Sequence, residues 1–145
     1  MENFAEQLNA HLGGWNNAMG LSFTSVTTEE AVGEVTLGPQ HTQPYGIVHG
    51  GVHCGIIEAA CSTGAAMVAL SRNQSVVGLE NATSFIAAAR GGKIFVKATP
   101  VTRGRRTQVW QAVITGEDGK TLATGRVRLL CLDNGSDLAG KPAGV

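Results

Sequence analysis

The 145 residues carry eleven basic and eleven acidic side chains, and 43% of them are hydrophobic. That length suits one domain with one core, and the apolar share excludes wholesale disorder. Zero net charge argues against a protein that binds nucleic acid or an acidic membrane through a basic excess. Cys54, Cys61 and Cys131 cannot all pair and none stands in a C-x-x-C arrangement. Neither a disulfide scaffold nor a zinc ribbon is expected, and a reducing, cytoplasmic setting is.

The opening residues, Met1-Glu2-Asn3-Phe4, lack the basic-then-apolar pattern of a secretory leader. Residues 3–12 are predicted as a short amphipathic helix stopped by Gly13-Gly14. Residues 21–28 and 31–37 read as strands. In the second, Val32, Glu34 and Thr36 alternate with Gly33, Val35 and Leu37. A loop with Pro39 and Pro44 leads to a long helix from Gly50 to about Ser71. It is long and apolar enough for a membrane span, but the central Glu58 argues for a buried helix instead.

Residues 75–89, 93–102, 105–115 and 121–132 are rich in Val, Ile, Thr and aromatics and are predicted as four strands. Glycine-containing turns separate them, so an antiparallel meander is expected. Residues 133–145 are expected to form a frayed tail. The sum is an α+β domain over residues 1–132, with a curved antiparallel sheet wrapped around one long central helix.

On a helical wheel, Val52, Ile56, Ala59, Thr63, Met67 and Leu70 form a bulky side suited to the sheet. The opposite side holds Gly51, Cys54, Gly55, Glu58, Cys61, Ser62 and Ala65, all small except Glu58. A lone carboxylate among small apolar neighbours is expected to lose contact with water. That is the setting in which such a group works as acid, base or nucleophile. At the helix start, His49-Gly50-Gly51 gives a ligand close access to first-turn amides, which can stabilise an oxyanion. Gly50 and Glu58 stand eight residues apart, about 12 Å along a helix axis, beyond the reach of one side chain. The two groups can meet across antiparallel helices of two chains, so a homodimer with two shared sites is expected.

The run Gln43-Pro44-Tyr45-Gly46-Ile47-Val48-His49-Gly50-Gly51, followed by Glu58 and Ser62, resembles the hot-dog-fold acyl-CoA thioesterases. The resemblance is to the phenylacetate-pathway and 4-hydroxybenzoyl-CoA thioesterase group, and it extends over residues 21–132. It implies a hot-dog fold and hydrolysis of a small aromatic or medium-chain acyl-CoA. It implies Glu58 as the catalytic carboxylate, Gly50 as the amide donor to the thioester carbonyl, and Gln43 and Ser62 as positioning groups. His49 is expected to cap the helix rather than act as a base. Gly51, Asn81 and Ser84 are candidates for substrate contact, with bonding inside the protein the alternative for the last two.

Arg90, Arg103, Arg105 and Arg106 fall in or beside turns and are candidates for the CoA phosphates. No cofactor is implied beyond the CoA of the substrate, and the family commonly pairs its dimers into tetramers. His49 and His53 stand four apart but lack a third ligand, so no metal is expected. A cysteine nucleophile is disfavoured because Cys54 and Cys61 have no basic partner. Two alternatives stay open: a hot-dog enoyl-CoA hydratase using His49 and Glu58, and a non-catalytic acyl-CoA-binding protein.

Overall fold

The alternation of the first two strands is that of a half-buried hairpin. β1 (Ser22–Val26) and β2 (Ala31–Thr36) pair antiparallel, with Phe23, Val26, Ala31, Gly33 and Val35 turned inward. Among residues 1–144, which the computed structural model describes, a six-stranded sheet continues from that hairpin. Its other strands are β3 (Gln74–Phe85), β4 (Lys93–Arg103), β5 (Thr107–Gly116) and β6 (Thr121–Asp133). The spatial order is β1-β2-β4-β5-β6-β3, antiparallel throughout.

That order corrects the expected four-strand meander, which is confined to β4, β5 and β6. β3 ends at Phe85, not Ala89, so the segment through Arg90-Gly91-Gly92 is a crossing link rather than a tight reversal. The Ile86 and Ala87 N–H groups still donate to the Leu122 carbonyl of β6; beyond them the Ala89 and Gly92 carbonyls accept from the Val48 and Leu37 N–H groups of other loops, at 2.9 and 2.8 Å. β3 lies at the far edge, paired with β6 from Gln74↔Asp133 to Phe85↔Ala123.

The sheet curves round α3 (Gly50–Leu70), whose bounds match the sequence reading. Ile56, Ile57, Ala60, Cys61 and Ala65 are buried with Ile94, Trp110, Ile114 and Leu129 in one core. Fully burying a side chain such as Ile56 contributes about 1.5–3 kcal/mol. α3 is therefore a core helix of this sheet. The wheel reading needs one change. Cys61 and Ala65, assigned to the small face, are wholly buried, whereas Leu70 of the bulky side is 49% exposed. At Gly64 the helix packs directly on the Trp110 ring, where a Cβ would stand 2.4 Å from it, and this side of the helix therefore meets the sheet.

Trp110 is held in turn. Its Nε1–H donates to Gln108 Oε1 at 3.0 Å, and Gln108 Nε2 donates to the Ala65 carbonyl at 3.1 Å. Both side chains are wholly buried, so their mutual bonding meets the demand that buried polar groups be paired.

The N-terminal helix is shorter than expected. α1 (Ala5–Asn9) is followed by a second short helix, α2 (Gly14–Ala18), where the glycine pair had read as a stop. Two asparagines fasten α1 to β1. Asn9 Nδ2 donates to the Phe23 carbonyl and its Oδ1 accepts the Phe23 N–H, at 2.7 and 2.8 Å. Asn3 Oδ1 accepts the Val26 N–H and its Nδ2 donates to the Thr24 carbonyl, while Phe4 N–H donates to the Val26 carbonyl. The segment expected as a tail carries short strands of its own. β7 (Asp137–Leu138) and β8 (Lys141–Pro142) form a small hairpin, and the buried Ala143 exchanges backbone bonds with Gly135 and Ser136; Val145 lies outside the described residues.

Candidate active site

Helical spacing places Gly51, Cys54, Gly55, Glu58 and Ser62 on the side of α3 that the sheet leaves open. Glu58 is half-buried there and held by two donors. The Ser62 hydroxyl, one turn on, donates to Oε1 at 3.2 Å. The Asn81 amide, from β3, donates to Oε2 at 2.9 Å and to the Cys54 carbonyl at 3.1 Å. β3 approaches so closely because of Gly78, where a Cβ would stand 2.5 Å from Glu58 Oε1.

The carboxylate faces a cavity of about 540 Å³ whose lining includes Trp15, Asn16, Gly55 and Ser62. Trp15 stands over the helix at Gly55: a Cβ at position 55 would lie 2.7 Å from its indole nitrogen. Burial, together with the nearby Glu58 charge, pushes the Cys61 thiol up to about 12. A thiol so hard to ionise is no nucleophile at neutral pH. Among the described residues, no three His, Cys, Asp or Glu side chains gather closely enough to hold a metal ion.

The other half of the expected site sits two turns away, at the start of α3. His49 caps the helix: the Gly51 N–H donates to its Nδ1 at 2.8 Å. The Gly51 amide is thus occupied, and Gly50 offers the first-turn amide that His49 does not take. The Phe85 ring lies over Gly50, where a Cβ would stand 2.6 Å from it. That ring is 58% exposed. Next to it, burial keeps the His53 imidazole below its usual range, and its Nδ1 has no hydrogen-bond partner. Gln43 turns into its own loop. Its side-chain carbonyl accepts the Tyr45 N–H, and Gly46, at φ +75°, closes the turn by donating to the Gln43 carbonyl.

One chain therefore brings together Glu58, Ser62 and Asn81 at one place, and His49, Gly50, Gly51 and the Gln43 loop at another. Asn81 has its polar atoms engaged within the protein, the second of the two readings for it. Ser84 is placed differently from expectation. The pleat turns Asn81 and Thr83 toward α3, so Ala82 and Ser84 face the outer side of the sheet beside Arg126 and Gln111.

The arginines also separate. Arg90 donates to the Tyr45 carbonyl at 2.8 Å, near the start of β4, while Arg103 ends that strand. The ten strand rises from Lys93 to Arg103 span about 33 Å, so the two arginines lie at opposite ends of that strand's length. Arg103 pairs with Glu29, and with Arg105 it borders a hollow of about 440 Å³. Arg106 is exposed in the same turn. Arg72, missed in the sequence, joins this end by donating to the carbonyls of Arg103 and Gly104 at 3.2 Å. Trp15, Asn16, Gly78 and Thr83 were missed too. None carries a local signal, because each acts through a contact distant in the chain.

A carboxylate on a central helix inside a curved antiparallel sheet defines a class. The thioesterase superfamily model matches residues 45–123, and the chain belongs to that superfamily and is a thioester hydrolase of the hot-dog fold. It is similar to the Mycobacterium tuberculosis protein Rv1847, 36% identical over 121 residues that cover 82% of this chain and 86% of the other. The solved structure of Rv1847 superposes with a TM-score of 0.81. A 1,4-dihydroxy-2-naphthoyl-CoA hydrolase of Listeria monocytogenes is 33% identical over 78% of this chain and 91% of its own. A thioesterase structure from Haemophilus influenzae, 26% identical, covers 92% of this chain and 93% of its own at a TM-score of 0.84.

Proposed function

We propose that the protein is an acyl-CoA thioesterase that works as a homodimer. Glu58 of one protomer drives attack on the thioester carbon, directly or through water, and the partner's helix start polarises the carbonyl through the amide of Gly50. Water is consumed; a free acid and the CoA thiol leave. The observation that carries this reading is the Glu58 carboxylate, held by Ser62 and Asn81 at the wall of a cavity. The Gly50 amide of its own chain is about 12 Å away along the helix. The positive end of α3 strengthens that amide as a donor to a developing oxyanion.

The acyl group we propose is aromatic. Trp15 offers a flat indole within the same cavity as Glu58, and aromatic pairs gain about 0.5–1.5 kcal/mol beyond their buried area. The Listeria relative is named for a naphthoyl-CoA. Arg72 and Arg105, beside the hollow at the far end of α3, suit the phosphates of the nucleotide. His49 is engaged as the helix cap, which favours this reading over hydration of an enoyl thioester by a histidine.

The test is thiol release from a panel of aromatic and aliphatic CoA esters, using the wild type and Glu58→Gln. The amide keeps the shape of the side chain and can still accept from Asn81 and donate to Ser62. The variant is expected to stay folded and dimeric while kcat falls by roughly 10²–10⁴. Normal turnover by Glu58→Gln refutes the role of Glu58. Loss of an enoyl chromophore without thiol release identifies a hydratase, and binding without turnover a carrier.

A further inference from the structure

We infer that β3 carries a positioning relay for the Glu58 carboxylate, in which the Thr83 hydroxyl fixes the Asn81 amide and that amide fixes Glu58. The inference rests on the proposed role of Glu58. Thr83 Oγ1 donates to Asn81 Oδ1 at 2.6 Å. On its other side, the Asn81 amide donates to Glu58 Oε2 at 2.9 Å and to the Cys54 carbonyl at 3.1 Å. A primary amide has two N–H donors and a carbonyl acceptor, and here all are in use. The Glu58 carboxylate and the Cys54 carbonyl, both acceptors, set the direction of the amide, and the Thr83 hydroxyl anchors the oxygen that faces away from them. Turned by half a rotation, the amide would place its oxygen against a carboxylate and a backbone carbonyl, two acceptor–acceptor contacts.

The strand is shaped for this. Asn81 and Thr83 stand two apart, so the pleat presents both to α3. Between Gly78 and Glu80 the pairing with β6 shifts register. This irregularity lies where the missing Cβ of Gly78 makes room for Glu58 Oε1. Ser62 steadies the same carboxylate from within its own helix. Asn81 is the contact that ties it to the sheet, so the direction of the acid depends on where β3 lies.

An attacking oxygen must meet its carbon at about 3–3.5 Å and in line. A carboxylate released to rotate loses that alignment while CoA stays bound elsewhere, so the effect belongs to kcat rather than KM. Asn81 and Thr83 are thus positioning residues, acting through Glu58.

Thr83 separates this role from packing. Its side chain lies against Gly125, where a Cβ would stand 2.8 Å from Oγ1 and 2.9 Å from an Ile57 methyl. Thr83→Val keeps the shape and removes the hydroxyl; Thr83→Ser does the reverse. The relay predicts that Thr83→Val lowers kcat roughly tenfold with KM within about twofold, and that Thr83→Ser stays close to wild type. A packing role predicts the opposite order. Asn81→Asp, which sets a carboxylate against Glu58, is expected to lower kcat roughly a hundredfold. The variants are compared by thiol release on one aromatic CoA ester, with circular dichroism and gel filtration to verify folding.

An active wild type alongside an equally active Thr83→Val, or a fully active Asn81→Asp, overturns the relay alone. A wild type that releases no thiol from any ester, or a Glu58→Gln that turns over normally, overturns the reading of Glu58 and the relay with it.

Discussion

Replacing Gly64 by alanine ordinarily helps a helix interior by about 1 kcal/mol, because glycine forfeits more backbone freedom on folding. Here the opposite is expected. The new methyl would stand 2.4, 2.7 and 3.0 Å from three carbons of the Trp110 ring. Carbon pairs settle at about 3.5–4.0 Å, so helix or ring must give by about 1.1 Å. The ring is wholly buried and bonded to Gln108, which also grips the Ala65 carbonyl, the next residue of the same helix. Overpacking of this kind costs about 1–3 kcal/mol, and the short contact sets it at the upper end. Net of the helix gain, Gly64→Ala is expected to cost about 2 kcal/mol and to lower Tm by roughly 5–10 °C. Calorimetry measures the shift. Glu58 lies six residues earlier on the helix, so kcat should fall with it, since a displacement near 1 Å can cost about 10²-fold. A Tm equal to or above that of the wild type would show that the Trp110 seat is soft and refute the reasoning.

Burial depresses the His53 pKa from its ordinary 6.5, so the unfolded chain takes up the proton first as pH falls. Stability is therefore full above pH 6.5 and declines below it, and urea midpoints of His53→Asn should fall less than those of the wild type between about pH 7.5 and 5.5. Identical slopes would remove His53 as the cause. Trp15→Ala should raise KM for aromatic acyl-CoA esters roughly fivefold to tenfold and leave short aliphatic esters near wild type, measured by thiol release. An equal effect on both ester classes argues against stacking. Arg72→Ala combined with Arg105→Ala should weaken CoA esters roughly tenfold but spare a pantetheine thioester lacking the nucleotide, with a salt dependence that shrinks in the variant. Equal losses on both substrates would move the phosphate site elsewhere.

The features legible in the sequence are those with local causes. α3 is bounded as expected because a histidine cap and two glycines open it and its apolar run ends at Leu70. β5 and β6 match because the turn between them contains Gly119, at φ +77°. The route of β3 was not legible, since nothing within residues 75–89 distinguishes a reversal beside β4 from a crossing to β6. The open and buried sides of α3 were read one step out of phase at Cys61 and Ala65, because the Trp110 ring that captures Gly64 lies 46 residues away in sequence. Glu58 and Ser62 were found because they share one helix. Asn81 was singled out as a candidate for substrate contact or for bonding inside the protein, but its bond to Glu58, the Thr83 hydroxyl behind it and the indole of Trp15 were not, because only folding brings them together. The arginines looked like a cluster because all sit beside turns, yet β4 carries Arg90 and Arg103 to opposite ends.

The asparagine fastening of α1 bears on how the molecule meets its own kind. A bare strand flank invites any other strand to join it, and a sheet with two bare flanks can recruit neighbours without limit. On the β1 flank, the peptide groups of Phe23, Thr24 and Val26 are already occupied by Asn3, Phe4 and Asn9. Among the described residues, nothing gives the β3 flank such cover over its exposed Gly78–Ala82 stretch. Strand pairing between copies would thereby fall to a single side, and a contact confined to one side closes at two members instead of propagating into a filament.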